Sequence, residues 1–322
     1  MKVAVLDLGT NTFHLMIASV HSDGSWKKIL HRKVTVKLGQ GGIHQNRIAP
    51  VPFRRGIAAI AGFKKIIEHH QVKTVRAFGT AALRNASNGG EFLDDARENF
   101  GITIALISGS DEASLIYSGV RRAVDLGDDF SLIMDIGGGS TEFIIANNRK
   151  IFWKQSFKIG ASMLLEKFQP ADPIRKGELK LIEHYLDDVL KPLRAALMKF
   201  PAARLIGSAG SFETVTSMIR YRNPAAGSHY GKTSHPIKRS ELNALHRDII
   251  RSTTAERKKM KGLISMRVDM IVPASILLNF VLKQTGIKNI LLSTYSLKEG
   301  ALDQIVNSES VLIHAKGKRS AT

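Results

Sequence analysis

The sequence predicts an α/β chain of two related domains, and three observations carry that prediction. The first is the stretch Leu132-Ile133-Met134-Asp135-Ile136-Gly137-Gly138-Gly139-Ser140-Thr141-Glu142. An apolar run from Ser131 to Met134 reads as a buried strand and a second, from Phe143 to Ala146, as its return, so the whole is a tight glycine-rich hairpin. The second observation is that the chain does this twice. Met1 to Leu6 leads into Asp7, then Leu8-Gly9-Thr10-Asn11-Thr12, then the apolar run Phe13 to Val20. An internal repeat of strand, aspartate, glycine, hydroxyls and strand marks a duplicated unit. The third is the alternation of strand-like and helix-like segments through the rest of the chain. Two copies suggest two domains facing each other across a cleft of phosphate size.

The elements follow in order. Lys27 to Leu38 continues the first sheet, and Leu38-Gly39-Gln40-Gly41-Gly42 is a loop. A helix from about Phe53 to His70 places Ile57, Ile60, Phe63 and Ile66 on one face. Thr74 to Phe78 is a strand, and Gly79-Thr80 opens a short helix carrying Arg84. After the break at Asn88-Gly89-Gly90 come a helix from Glu91 to Asn99 and a strand from Thr103 to Ile107. Ser108-Gly109-Ser110 starts a helix with Asp111 and Glu112 in its first turn, running through Ala123. Leu126-Gly127-Asp128-Asp129 reads as the domain boundary.

Beyond the second hairpin, Ile151 to Phe157 is a strand, and Ile159-Gly160 enters a helix with Leu164, Leu165 and Phe168. Lys176 to Phe200 is a long amphipathic helix interrupted near Pro192. Leu205-Ile206 is a short strand running into Gly207-Ser208-Ala209-Gly210-Ser211, with a helix behind it. Asn223 to Pro236 reads as a flexible surface loop. Helices over Glu241–Ile250 and Met266–Leu282, a strand over Ile290–Ser293 and a helix over Leu297–Ile305 complete the pattern. The polar, basic tail from Ser308 reads as disordered. The domains are thus residues 1–126, with 296–322 packing back on them, and residues 127–295.

With 322 residues, 43% of them hydrophobic, the chain can bury two cores. It has no cysteine, which excludes disulfides, thiolate metal sites and a cysteine nucleophile, and it opens in a strand with no apolar leader. Met270 to Leu282 is too short to span a bilayer. A cytoplasmic protein without membrane partners is expected. The net charge of +19 is uneven: residues 1–150 carry 19 Lys and Arg against 14 Asp and Glu, residues 151–322 carry 28 against 14. A dense run at Arg247, Arg251, Arg257, Lys258, Lys259 and Lys261 adds to a field that attracts polyanions, or is simply a solvated basic face. No zinc spacing or aromatic RNA-binding signature is present, so no specific nucleic acid is expected.

Glycines let backbone N–H groups turn toward an anion, and Ser140 and Thr141 add hydroxyls. Asp135 and Glu142 can hold the cation that accompanies a phosphate. On pattern alone, Glu112 is accounted for as a first-turn acid favoured by the helix dipole, and Arg84 as a surface ion pair. Asp7 shapes its loop or binds a cation. His14 on its strand reads as packed, and His229 and His235 show no metal-ligand spacing.

Five stretches together, Asp7-Leu-Gly-Thr-Asn-Thr-Phe-His14, Gly79-Thr-Ala-Ala-Leu-Arg84, Ile107-Ser-Gly-Ser-Asp-Glu-Ala113, Asp135-Ile-Gly-Gly-Gly-Ser-Thr-Glu142 and Ile206-Gly-Ser-Ala-Gly-Ser-Phe212, resemble the Ppx/GppA phosphatases in order, content and spacing. These are exopolyphosphatases and guanosine pentaphosphate phosphohydrolases of the actin-like superfamily (ASKHA, ribonuclease H-like). The resemblance runs from Met1 to about Gly300. It implies two actin-like domains with an interdomain cleft. It implies hydrolysis of a terminal phosphoanhydride in polyphosphate or guanosine pentaphosphate with Mg2+ or another divalent cation, and leaves a homodimer open. By position it implies Glu112 as general base and Glu142 with Asp135 as the acidic pair around metal and water, with Asp7 as a further metal-side carboxylate. Thr10, Asn11, Thr12, Arg84, Gly137, Gly138, Gly139, Ser140 and Thr141 would hold phosphate. So would Gly207, Ser208 and Gly210 of the third glycine turn, which in kinase relatives touches a nucleoside.

Two departures stand out. Longer members carry a further helical domain with an HD metal motif, so the shorter form is implied, with its grip on very long polyphosphate in question. A G-L-R-E-G-like stretch reads Ser296-Leu297-Lys298-Glu299-Gly300 here, which would weaken a bidentate phosphate contact. The same superfold also hosts sugar kinases and ATPases, although no sugar-kinase acceptor motif is present, and a non-catalytic polyphosphate-binding protein would need only the basic half.

Overall fold

The computed structural model describes residues 1–223 and 232–306. His229 and the basic tail from Ser308 lie outside the described residues. The described chain divides into two units, Met1–Gly119 with residues 297–306, and Val120–Ser296. The divide falls inside the helix Gly109–Ala123, ahead of the Gly127 turn.

The first unit is built on five strands: β1 (Lys2–Leu8), β2 (Thr12–Val20), β3 (Trp26–Thr35), β4 (Thr74–Gly79) and β5 (Ile104–Leu106). Their order is β3-β2-β1-β4-β5, with β1, β2 and β3 an antiparallel meander and β4 and β5 parallel to β1. Val3 to Leu6 and Leu15 to Ala18 are buried without alternation, as strands covered on both faces must be. β3 is the edge and carries Lys, Arg and His, which suits an exposed rim. Helix α1 (Pro50–His69) starts on proline, whose missing N–H costs nothing there, and buries Ile60, Phe63 and Ile67. Helices α2 (Ala81–Asn85), α3 (Gly89–Phe100) and α4 (Gly109–Ala123) follow. Phe92 of α3 meets Phe13 and Phe53 edge-on, at ring-centre distances of 6.2 and 5.2 Å. The helix over residues 297–306, α12, belongs to this unit. Its Gly300 lies so close to the Leu115 carbonyl of α4 that any Cβ would collide.

The second unit contains β6 (Ser131–Ile136), β7 (Thr141–Ala146), β8 (Ile151–Phe157), α5 (Ala161–Phe168), α6 (Lys176–Val189), α7 (Lys191–Lys199), β9 (Arg204–Ser208) and α8 (Ala209–Arg222). It continues through β10 (Ser234–Ile237), α9 (Arg239–Arg251), α10 (Thr254–Lys259), α11 (Ile271–Thr285) and β11 (Asn289–Ser293). The order β10-β11-β9-β6-β7-β8 repeats the first unit's pattern, with an antiparallel meander β6-β7-β8 and two strands parallel to β6. The repeated hairpins thus sit at equivalent places in two sheets of one topology, and β10 is an addition at the edge.

Two elements escaped the sequence reading. Part of the stretch read as a loop is β10, which has only the length of β11's edge to pair with. Part of the basic run is α10, opened by a capping box between Thr253 and Glu256. Arg257 in it is not a solvated cation. It is buried, and donates to the Val268 carbonyl at 2.9 Å and to Asp172 at 2.8 Å. The apolar run 271–282 is a core helix, α11, buried throughout. Among the described residues, no helix is long and apolar enough to cross a membrane.

Candidate active site

In the second unit the site begins with strand register. Asp135 stands opposite Glu142 across β6 and β7, Glu142 opposite Ser156 across β7 and β8, and Asp135 beside Ser208 on β9. One row of side chains therefore crosses four strands: Ser208, Asp135, Glu142, Ser156. Both carboxylates are buried, Asp135 at 6% exposure and Glu142 at 1%. Ser208 Oγ donates to Asp135 at 2.6 Å and Ser156 Oγ to Glu142 at 2.6 Å. A carboxylate has about four lone-pair directions, so each can take further donors or a cation besides its serine hydroxyl. Two opposed buried carboxylates call for a nearby positive charge.

The glycine turn is oriented by α5. The N–H groups of Ala161 and Ser162 donate to the carbonyls of Gly137 and Gly138, both at 2.9 Å, and Gly160 N–H donates to Gly139 at 3.3 Å. These amides open a helix and would otherwise lack partners. The turn's carbonyls are thereby drawn to one side. Among the described residues the N–H groups of Gly138, Gly139 and Ser140 donate to nothing. Gly160 permits the approach, since a Cβ there would collide with the Gly138 backbone. Thr141 is fully buried, and its hydroxyl donates to the Ile159 carbonyl at 3.2 Å, which makes it part of the frame.

The third turn follows β9. Ser208 gives its hydroxyl to Asp135 rather than capping α8, Ala209 takes a φ of 60°, and Ser211 Oγ donates to the Ile136 carbonyl at 2.9 Å. A left-handed residue with a Cβ costs ~1–2 kcal/mol, strain of the kind found at functional sites. Over Gly210 lies the guanidinium of Arg267, so close that a Cβ on Gly210 would overlap it. Arg267 Nε is enclosed, with no hydrogen-bond partner among the described residues. Burial lowers the Arg267 pKa from its ordinary value, against the opposing pull of Glu213 and Asp135. Sequence reasoning missed Arg267, because it sits in a short turn, Ser265–Arg267, with no motif around it. Its only signal was an arginine just before the most apolar helix.

In the first unit, Thr10 and Thr12 are buried, and Asn11 and Asp7 are half-buried. The carbonyls of Thr10 and Asn11 are held by N–H groups of residues 36–39, with Leu38 to Thr10 at 2.6 Å and Lys37 to Asn11 at 2.9 Å. Asp7 stands opposite His14, the place that Glu142 holds in the second sheet. His14 lies 3.0 Å from a ring nitrogen of His31, with the rings stacked. His235 is buried on β10. At the end of α2, Arg84 donates to the Ile107 carbonyl at 2.7 Å and to Glu112 Oε2 at 3.2 Å. Two residues with separate accounts in the sequence thus form one partly buried ion pair. Lys298, where the resemblance has an arginine, is buried and pairs with Glu299 at 3.3 Å. Among the described residues no three acidic, His or Cys side chains converge as a metal cage.

The family model of the Ppx/GppA phosphatase family matches residues 16–309. Exopolyphosphatase 1 of Mycobacterium tuberculosis is 24% identical over 310 residues, covering 96% of this chain and 90% of that protein. A putative exopolyphosphatase of Haemophilus influenzae is 28% identical over 302 residues, covering 94% and 90%. The crystal structure of an exopolyphosphatase from Cytophaga hutchinsonii superposes with a TM-score of 0.93 at 37% identity, covering 96% of this chain and 98% of that one. The Aquifex aeolicus Ppx/GppA family member, 24% identical with a TM-score of 0.79 over 96% of this chain and 98% of its own, shares the fold. The two sheets are the actin-like α/β fold expected from the sequence, and this chain belongs to the Ppx/GppA phosphatase family.

Proposed function

We propose that this protein hydrolyses the terminal phosphoanhydride of inorganic polyphosphate. The observation that carries the reading is the glycine turn over residues 137–140: the carbonyls of Gly137, Gly138 and Gly139 are engaged by the start of α5, while the N–H groups of Gly138, Gly139 and Ser140 have no partner among the described residues. Such a row of amides is a cradle for phosphate oxygens. Thr10, Asn11 and Thr12 form the corresponding loop of the first repeat, and Arg84 supplies a guanidinium fork for phosphate. Arg267 supports an inorganic chain over a nucleotide, because it covers the turn that would touch a nucleoside.

The donor set fits a divalent cation such as Mg2+. Mg2+ is typically bound by one or two carboxylates, water and substrate phosphate rather than by a full protein cage. Asp135 and Glu142 supply such a pair, and Asp7 is its counterpart in the first repeat. Bound there, the ion would neutralise phosphate charge in the transition state. Glu112 takes the proton of the attacking water as its oxygen bonds to the terminal phosphorus, and the bond to the bridging oxygen breaks to leave a shortened chain. The lack of cysteine supports a reducing, cytoplasmic setting.

The test is phosphate release from tripolyphosphate, long-chain polyphosphate, guanosine pentaphosphate and ATP in parallel, with Glu112→Gln as control. The reading expects release from polyphosphate that Glu112→Gln abolishes. Release from ATP alone would favour an ATPase or kinase, and binding without release a polyphosphate-binding protein.

A further inference from the structure

We infer that the surface formed by the end of α9, α10 and the loop after it is a binding site for the distal part of a polyphosphate chain, separate from the groups that handle its terminus. The inference rests on the polyphosphate reading above. Arg247, Arg251, Lys258, Lys259 and Lys261 are all exposed, and none of the five makes an ion pair or hydrogen bond among the described residues. Of the two acids in this stretch, Asp248 is committed to another helix and Glu256 caps its own helix, within electrostatic reach of Lys259. Asp248 pairs with Arg222 at 2.6 Å, and Glu256 accepts from the Thr253 N–H at 2.7 Å and from its hydroxyl at 2.9 Å. Arg257, the sixth cation, points inward and pins α10 to Asp172 and to the Val268 carbonyl. The exposed charges therefore stand on an anchored support.

The surface also leads to the site. After Lys261 the chain packs on α8 through Gly262, at φ 84°, where a Cβ would collide with the Met218 backbone. It then turns through Ser265–Arg267, which sets Arg267 over Gly210. Lys258, Lys259 and Lys261 lie within nine residues of Arg267 in the chain. The chemistry favours a chain of phosphates without bases. Single-stranded nucleic acid is gripped by aromatic platforms as well as by charge, and residues 247–261 contain no aromatic side chain. Ammonium groups on flexible stems suit a polyanion with no fixed register. A chain held at both its end and its distal part gains avidity that a three-phosphate substrate cannot.

The test compares the wild type with the triple variant Lys258→Gln, Lys259→Gln, Lys261→Gln, in both hydrolysis and direct binding of long-chain polyphosphate over a range of salt. The expected result is a rise of about tenfold or more in KM and Kd for the long chain, with kcat kept and the salt dependence of binding made shallower by two to three in slope, as expected for the lost cations (about 0.7–0.9 per contact). Tripolyphosphate KM should change by less than twofold. An unchanged Kd and KM for the long chain, or an equal rise for tripolyphosphate, overturns the site. So does an RNA oligonucleotide that binds the wild type as tightly as polyphosphate and loses that binding in the variant. Direct binding reads this surface even if no phosphate is released, an outcome that would instead sink the hydrolase reading.

Discussion

Glu112 and Arg84 are 28 positions apart in sequence and 3.2 Å apart in space, and their variants should read differently. Glu112→Gln keeps shape and hydrogen-bonding reach but cannot accept a proton. It should lower kcat by ~10²–10⁴ with substrate binding nearly intact, measured by initial-rate phosphate release. A purely structural acid that only holds Arg84 would instead lower the melting temperature and leave activity normal. Arg84→Ala removes a charge-assisted contact worth ~1.5–3 kcal/mol and should raise KM for polyphosphate accordingly. Unchanged KM and kcat would confine Arg84 to its ion pair. Away from this pair, His246 next to Ser275 on α11 has its pKa lowered to about 4, first by burial, then by Lys283 and Arg247, with Glu183 opposing. The unfolded chain binds the proton more readily, so stability rises with pH between about 4 and 6.5 and is lost as pH falls through that window. His246→Gln should flatten that slope, a difference of up to about 3 kcal/mol in denaturant titrations at pH 4 and pH 7.

At the scale of elements, the second hairpin and α5 act as one piece. The hairpin lends its carbonyls to the helix, and the helix fixes which way the amides point. Gly160→Ala places a methyl group against the Gly138 backbone, so the helix start and the turn cannot both keep their places. Overpacking of this kind costs ~1–3 kcal/mol, which a melting curve would read as a clear drop. Phosphate release should fall further than that loss of stability explains, because the cradle itself is displaced. A Gly160→Ala protein with full activity would show that the amide row does not hold substrate. The same logic makes α10 an element of support: Arg257 fastens it from inside while its lysines remain outside.

For the molecule as a whole, the second unit keeps two carboxylates facing each other inside a sheet, an arrangement that destabilises the native state unless positive charge comes near. Arg267 is a cation within that unit whose charge reaches Asp135. Millimolar Mg2+ should therefore raise the melting temperature, because an ion that binds only the native state stabilises it by mass action. Asp135→Asn should shrink that shift sharply, and chelation of divalent cations should stop phosphate release while leaving the fold intact. A melting temperature indifferent to Mg2+ in the wild type would remove the cation from the Asp135–Glu142 pair.

The hairpins at Asp7 and Asp135, the alternation of strands with helices and the strand bounds over Ile151–Phe157 were determined by the sequence itself, because period, turn glycines and apolar runs are local properties. The repeat was equally legible, and the two sheets share one topology. The tertiary structure alone decided what the side chains meet. That Asp135 and Glu142 stand in register, that Ser156 and Ser208 flank them and that Arg84 reaches Glu112 depend on strand pairing and loop closure over long separations, for which a single sequence carries no signal. Arg257 and Lys258 are neighbours with the same charge, yet one clamps the interior and the other faces water, because a short helix points successive side chains in different directions. Arg267 became part of the site only when a three-residue turn brought it over a glycine whose missing Cβ left it room.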